Sequence, residues 1–177
     1  MNVLATPSLE TLIFLGRHPR DSYYVRELAK LCTISIGSAS VQLRELQESG
    51  LVTSEKKGRT LLFRASVANP IVREAKILAT LLELSDLIQA GQGRVARMIL
   101  FGSCATGEDT SESDIDLYLE TTDRESVQVL LADAESGLLR KISPILVSFD
   151  EARQLRTRDR PLFERIQAGK ILVGEPL

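Results

Sequence analysis

The sequence contains no tryptophan, one histidine and two cysteines among its 177 residues, and only 5% of them are aromatic. Cys32 and Cys104 do not form a CxxC pair, and His18 is the only histidine, which excludes a zinc site built from Cys and His ligands. No apolar run approaches the ~20 residues of a membrane helix. The first ten residues lack a basic stretch followed by an apolar one, so no secretory signal is predicted. We therefore expect a cytoplasmic protein that does not associate with membranes.

Charge is distributed unevenly over the chain. Hydrophobic residues make up 44% and charged residues 26%, as in ordinary globular proteins, and the net charge is −2. Residues 1–66 hold nine Lys or Arg and six Asp or Glu, whereas the rest holds 13 basic and 18 acidic residues. A basic front and an acidic back indicate two domains with different partners.

Three short helices are predicted in the first 50 residues. Apolar residues recur at helical spacing in segments 9–15 and 24–31, and a third such segment follows Ser35. Gly50 is typical of a residue just past a helix end. The apolar stripe of the third helix is expected at Ala39, Val41, Leu43 and Leu46.

Two strands, Leu51–Glu55 and Thr60–Ala65, are predicted around a basic Lys-Lys-Gly-Arg turn. Together with the helices, the stretches YYVRELAKLCTISIGSASVQLRELQESGLV and TSEKKGRTLLFRAS resemble winged helix-turn-helix regulators of the ArsR and MarR type. The resemblance implies that the third helix enters the major groove of double-stranded DNA and that the hairpin contacts its backbone. The small polar side chains of the helix and the basic turn are the expected DNA contacts: Ser35, Ser38, Ser40, Gln42, Arg44, Lys56, Lys57 and Arg59.

A strongly apolar helical segment follows, with Pro70 at its start. It would bridge two domains, form the seam of a homodimer or serve as the first core helix of the second domain. The expected divisions are a DNA-binding domain at 1–68, a connecting helical segment at 69–93 and a second domain at 94–177.

Strands and helices alternate in the second half, which predicts a small mixed sheet. The expected fold class is thus α/β (α+β) with two domains.

Asp114 and Asp116 follow Gly102-Ser103 after ten residues, in the stretch GSCATGEDTSESDIDL. Alternate residues of a strand share a face, so the two carboxylates project together while Ile115 faces the core. Paired carboxylates repel each other unless a cation lies between them, and they are natural ligands of Mg²⁺. Gly102 allows close approach of a phosphate, and the Ser103 hydroxyl can donate to it.

This stretch resembles the GSxAxGxxxxxSDxDL signature of minimal nucleotidyltransferases, a branch of the DNA polymerase beta superfamily. The resemblance implies that Asp114 and Asp116 are catalytic and hold Mg²⁺, with Gly102, Ser103 and Ser113 around the nucleotide phosphates. It also implies transfer of a nucleoside monophosphate, with AMP from ATP expected and another nucleoside triphosphate open. Family members often act as antitoxins with HEPN-domain partner proteins.

One departure from the family pattern affects the expected activity. Members usually carry a third carboxylate on the neighbouring strand, and matching SPILVSFDE to that strand puts Ile145 at this position. Two functions therefore stay open. The chain is either a DNA-binding regulator fused to an active nucleotidyltransferase, or a non-catalytic regulator whose second domain senses a nucleotide or binds a partner.

Overall fold

The computed structural model of the chain describes residues 6–175 and has an α+β architecture of helices with two small sheets. The chain divides into two compact units, Met1–Lys76 and Ile77–Leu177, and the boundary between them falls inside the helix Pro70–Glu83. The expected boundaries at residues 68 and 93 stay a prediction. Within residues 6–175, none of the helices has the length and hydropathy that a bilayer crossing requires.

The elements in chain order are α1 (Thr6–Arg17), β1 (Tyr23–Tyr24), α2 (Val25–Leu31), α3 (Ile36–Glu48), β2 (Val52–Lys57), β3 (Thr60–Ala65), α4 (Pro70–Glu83), α5 (Ser85–Gly91), β4 (Arg97–Leu100), α6 (Ser103–Thr106), β5 (Ile115–Glu120), α7 (Arg124–Ser136), β6 (Ile142–Val147), α8 (Phe149–Arg158), α9 (Arg160–Gln167) and β7 (Lys170–Val173).

The first unit packs α1, α2 and α3 with a three-stranded antiparallel sheet in the order β1-β3-β2. Its core includes the fully buried Leu12, Leu28 and Leu43. The β2–β3 hairpin agrees with the predicted strands to within two residues. The sequence did not predict β1, because a strand of two residues has no alternation to detect.

Local signals set both ends of α3. The Ser35 hydroxyl accepts from a backbone N–H in the first turn, which makes Ser35 the N-cap. Gly50 has a φ of +69°, and the Leu51 N–H donates to the Leu46 carbonyl at 2.9 Å. These are features of the Schellman ending that glycine favours, so the expected stop at Gly50 is confirmed.

The buried stripe of α3 differs from the expected one. The buried residues are Ala39, Gln42, Leu43 and Leu46, at the i, i+3, i+4, i+7 spacing of one helix face, whereas Val41 is 45% exposed. Gln42 is only 6% exposed because its amide oxygen accepts from the buried Thr11 hydroxyl at 2.8 Å. The buried hydrogen bond allows a polar residue in the stripe.

The second unit is built on a four-stranded mixed sheet in the order β6-β5-β4-β7. Strand β4 pairs antiparallel with β5 and β7, while β5 and β6 are parallel and joined by the crossover helix α7. The main core lies on one face of the sheet and includes Leu100, Ile115 and Leu117. The opposite face carries Phe101 and Tyr118 under residues of α8 and α9.

Candidate active site

Gly102 lies between β4 and α6 and makes room for a carboxylate. Its φ of +69° and ψ of −155° belong to a region that only glycine adopts readily. A Cβ on Gly102 would overlap the Oδ2 atom of Asp116. The neighbouring Phe101 N–H donates to the Asp116 carbonyl at 3.1 Å, which fixes the spacing of the two segments. The geometry thus requires glycine here because of Asp116, while its contact with a phosphate stays a prediction.

Asp114 and Asp116 flank Ile115, which is fully buried in the main core. Strand β5 begins only at Ile115, so Asp114 precedes the strand and is exposed, whereas Asp116 is half-buried. Burial raises the pKa of Asp116 above its ordinary value, the positive charge of Arg165 opposes that rise, and the negative charge of Asp114 adds to it. The two carboxylates are therefore close enough to repel each other.

This donor set fits Mg²⁺ with a bound nucleotide. Mg²⁺ is commonly held by one or two carboxylates together with substrate phosphates and water. Within residues 6–175 no group of three or more His, Cys, Asp or Glu side chains could hold a metal by itself. The pair Asp114 and Asp116 would therefore supply two ligands, and the electrostatic cost of placing them together is what a cation would relieve.

A cleft of about 340 Å³ opens at Gly102, which lies against the Asp116 side chain. Gly102, Ser103 and Thr106 line one part of it, and Arg165 with Gly169 lines another. Ser103, a predicted phosphate contact, therefore borders an open volume, as that role requires.

Ser113 does not line the cleft. Its hydroxyl accepts from the Thr110 N–H at 2.9 Å and lies 3.3 Å from the Thr110 hydroxyl. This hydroxyl thus closes a turn within its own loop, and its expected contact with a phosphate stays a prediction.

The same loop is tied to the fold by Arg140, which is 8% exposed. Its guanidinium donates to Asp109 at 2.9 Å, to Glu83 at 2.6 Å and to the Thr80 hydroxyl at 3.0 Å. Asp109 is fully buried between α6 and β5, so Arg140 anchors the segment that joins Ser103 to the aspartates.

The register of β5 and β6 moves the position at which a third carboxylate is expected. Asp116 pairs with Ser143, and Tyr118 pairs with Ile145. Ile145 packs against the cluster that contains Phe101 and Tyr118, whereas Ser143 is exposed. A carboxylate beside Asp116 would therefore stand at Ser143, and the assignment of this position to Ile145 is corrected.

The predicted DNA contacts lie in the first unit. Ser40 and Arg44 are exposed on α3. Ser35 is the exposed N-cap, and the half-buried Ser38 hydroxyl accepts from the Gln42 amide at 2.9 Å. Gln42 is buried, so its expected contact with DNA is corrected: its amide serves the packing of α3. The exposed residues around the β2–β3 turn are Lys56, Lys57 and Arg59.

Sequence reasoning missed two arginines. Arg165 lies 49 positions after Asp116, on a helix that the topology brings to the cleft, and no local motif marks it. Arg140 precedes β6 and reads as an ordinary surface residue. Only the fold shows that Arg165 lines the cleft and that Arg140 contacts Asp109 and Glu83.

Comparison with known proteins relates the second unit to one protein family. Residues 80–167 match a family model described as a nucleotidyltransferase domain. No curated protein matches the chain. The matched segment runs from the end of α4 to the end of α9 and includes Gly102, Asp116 and Arg165. The second unit is therefore similar to a nucleotidyltransferase domain over this segment.

Proposed function

We propose that the second unit binds a Mg²⁺-nucleoside triphosphate, with ATP as the expected nucleotide, and transfers its nucleoside monophosphate to an acceptor. The observation that carries this proposal is the juxtaposition of Gly102 with Asp116 beside an open cleft in the segment that matches the family. Acceptors open to test are a HEPN-type partner protein and other hydroxyl-bearing molecules, and the antitoxin role belongs with the first of these.

The residues of the chain would divide the work as follows. Asp114 and Asp116 would hold the cation, which would supply positive charge next to the phosphates. Ser103 orients the phosphate chain from the cleft. An acceptor oxygen attacks the α-phosphorus, the bond to the β-phosphate breaks, pyrophosphate leaves, and the acceptor proton passes to a base or to water.

Calorimetric titration with ATP and Mg²⁺ tests the binding step. We expect the double variant Asp114→Asn, Asp116→Asn to lose Mg²⁺-dependent binding while its circular dichroism stays that of the wild type. Asp150→Asn and Asp133→Asn, combined in one chain, change two acidic residues outside the cleft and serve as the matched control. Equal ATP binding by the site variant and the wild type would contradict the proposal.

A non-catalytic sensor is the second candidate, and the register of β6 favours it. Ser143 stands where a third carboxylate would lie beside Asp116, so the position of a general base carries a neutral hydroxyl. ATP labelled at the α-phosphate distinguishes the candidates. Label transferred to an acceptor with release of pyrophosphate identifies an enzyme, whereas Mg²⁺-dependent binding without transfer identifies a sensor.

We further propose that the first unit is a winged helix-turn-helix that binds double-stranded DNA, with α3 as the reading helix and β2–β3 as the wing. Three helices followed by a hairpin with a basic turn support this. The exposed Leu78 and Leu82 on α4 support the proposal that the chain pairs as a homodimer, which light scattering would test. A cytoplasmic location stays a prediction.

Neutralisation of the wing tests the DNA proposal. Changing Lys56, Lys57 and Arg59 to Gln should weaken binding to all duplexes alike and flatten the salt slope by roughly 0.9 per lost phosphate contact. The matched control changes Arg153, Arg156 and Arg158, three exposed arginines of α8, to Gln. A wild-type chain without salt-dependent affinity for any duplex, including the DNA upstream of its own gene, would refute a DNA-binding role.

A further inference from the structure

The cleft beside Asp116 contains one cationic side chain. Its lining residues are Gly102, Ser103, Ala105, Thr106, Glu108, Arg165, Ala168 and Gly169, and Arg165 is the only Lys or Arg among them. A phosphate chain held near two aspartates needs positive charge from somewhere besides the metal, because the carboxylates themselves repel it. Arg165 is placed to supply that charge.

Helix α9 holds Arg165 at the cleft through its neighbours in sequence. Ile166 is fully buried in the cluster with Phe101 and Tyr118. Gly169 follows the helix so closely against β4 that a Cβ there would lie 2.5 Å from the Leu100 carbonyl oxygen. The end of α9 is therefore fixed against the end of β4, two residues before Gly102.

The Arg165 guanidinium is oriented by a ring contact that does not use its N–H donors. It lies 5.8 Å from the centroid of the Phe101 ring, a cation–π contact that restricts the side chain and leaves its N–H donors available. Among residues 6–175 no side chain forms an ion pair with Arg165. Its charge reaches Asp116 and acts to lower the pKa of that carboxyl group.

We propose that Arg165 is a nucleotide-binding residue whose guanidinium donates to phosphate oxygens of a nucleoside triphosphate in the cleft lined by Ser103. This inference rests on the proposed function of the same site. A guanidinium matches phosphate oxygens with two parallel N–H donors, which makes arginine better suited to this task than lysine. Arg165 thus complements the aspartates: they hold the cation, and it holds the anion.

The test compares Arg165→Met with Arg165→Lys and with Arg153→Met, which alters an exposed arginine of α8 outside the cleft. Calorimetry measures affinity for ATP in Mg²⁺, and competition with labelled ATP measures affinity for inorganic tripolyphosphate. We expect Arg165→Met to weaken both ligands by about 10- to 100-fold, the range for a hydrogen bond to a charged group. Arg165→Lys should recover part of the loss, and Arg153→Met should bind as the wild type does.

Unchanged ATP affinity in Arg165→Met, while Asp114→Asn, Asp116→Asn loses it, would overturn this inference and leave the proposed function standing. A loss confined to ATP, with tripolyphosphate unaffected, would also overturn it, because the contact would then involve the base or the sugar. A wild-type chain that binds neither ligand would refute the proposed function, and this inference with it. Thermal melts of each variant establish that the compared chains are folded.

Discussion

Removing the buried charge of Arg140 should destabilise the second unit more than any exposed substitution. Arg140 donates to Asp109 and Glu83, and its side chain is 6% exposed. Burial acts to lower its pKa, but the hydrogen bond and charge of Glu83 and the charge of Asp109 outweigh burial, so the pKa lies above its usual value and the guanidinium stays charged. We choose Arg140→Met, which keeps most of the side-chain volume and removes the charge.

The magnitude follows from the burial of the partners. The Asp109 side chain is 0% exposed, whereas that of Glu83 is 32% exposed and can be solvated. Removing one partner of a buried pair costs about 3–5 kcal/mol, because a buried charge loses its counter-charge. That is a large share of the ~5–15 kcal/mol by which folded domains are stable. Arg140→Met should therefore leave the second unit marginally folded.

Urea denaturation of the full chain, followed by circular dichroism, measures the effect. The matched control is Arg160→Met, which breaks the Arg160–Glu164 pair, whose side chains are 80% and 58% exposed. An exposed i, i+4 pair contributes about 0.3–0.5 kcal/mol, so the control should unfold near the wild-type midpoint. The double variant Arg140→Met, Asp109→Asn should recover much of the loss, because no full charge then stays buried at Asp109.

Two results would refute this reasoning. A loss below ~1 kcal/mol in Arg140→Met, comparable with the control, would mean that Asp109 is not a buried carboxylate that depends on Arg140. Additive losses in the double variant would mean that the two side chains act independently.

Three further predictions concern the site and the core. Ser143→Asp should raise the rate of nucleotidyl transfer from ATP labelled at the α-phosphate by about 10²-fold or more, because a general base contributes that much. Ile145→Asp should instead destabilise its apolar cluster without raising the rate. A raised rate in Ile145→Asp alone would show the register argument to be wrong. Burial and the charge of Asp114 raise the pKa of Asp116 against the opposing effect of Arg165. The folded chain therefore binds the carboxyl proton of Asp116 more tightly than the unfolded chain does. The free energy of unfolding should fall as pH rises from the ordinary carboxyl pKa of 3.8 through the raised value. Asp116→Asn should remove that fall and melt above the wild type at neutral pH in metal-free buffer, and melting curves that coincide at every pH would contradict this. Gln42→Ala should lower the free energy of unfolding by ~1–3 kcal/mol, because a buried hydrogen bond is lost, and should leave DNA sequence preference unchanged. A changed sequence preference at unchanged stability would mean that Gln42 contacts DNA.

Local patterns predicted the parts of the fold that depend on local physics. Alternation correctly predicted that Ile115 faces the core while the next residue, Asp116, does not, because strand geometry has a fixed period of two. The end of α3 at Gly50 and the hairpin before residue 66 followed from residues whose backbone preferences are strong.

The prediction for α3 failed where burial depends on a distant partner. Gln42 interrupts the i, i+3, i+4, i+7 positions of α3 with a polar residue, so the sequence pattern favours Val41 in its place. The hydrogen bond from the Thr11 hydroxyl, 31 positions earlier, offsets the cost of burying the polar amide of Gln42. Polarity alone is therefore a poor guide to the exposed face of a helix that contains a satisfied amide.

The third-carboxylate position failed for a related reason, since it depends on the register between two strands that are joined by a helix. A match by sequence can shift by two residues without changing the alternation of faces, so Ile145 and Ser143 are equivalent in pattern. The pairing of Asp116 with Ser143 resolves this, because only one residue of β6 lies directly beside a given residue of β5.

That register also separates two properties of the site. The Gly102–Asp116 contact, the cleft lining and Arg165 would serve the proposed binding of a nucleotide, and none of these residues belongs to β6. Removing a proton from an acceptor requires a base next to the metal, and there β6 offers the hydroxyl of Ser143. Binding and transfer are therefore expected to respond to different substitutions. Loss of Arg165 should weaken nucleotide binding, loss of the aspartates should remove its Mg²⁺-dependent part, and gain of a carboxylate at position 143 should change the rate at equal occupancy. A chain in which Ser143→Asp alters ATP affinity but not the fate of the α-phosphate would show that β6 belongs to the binding site instead.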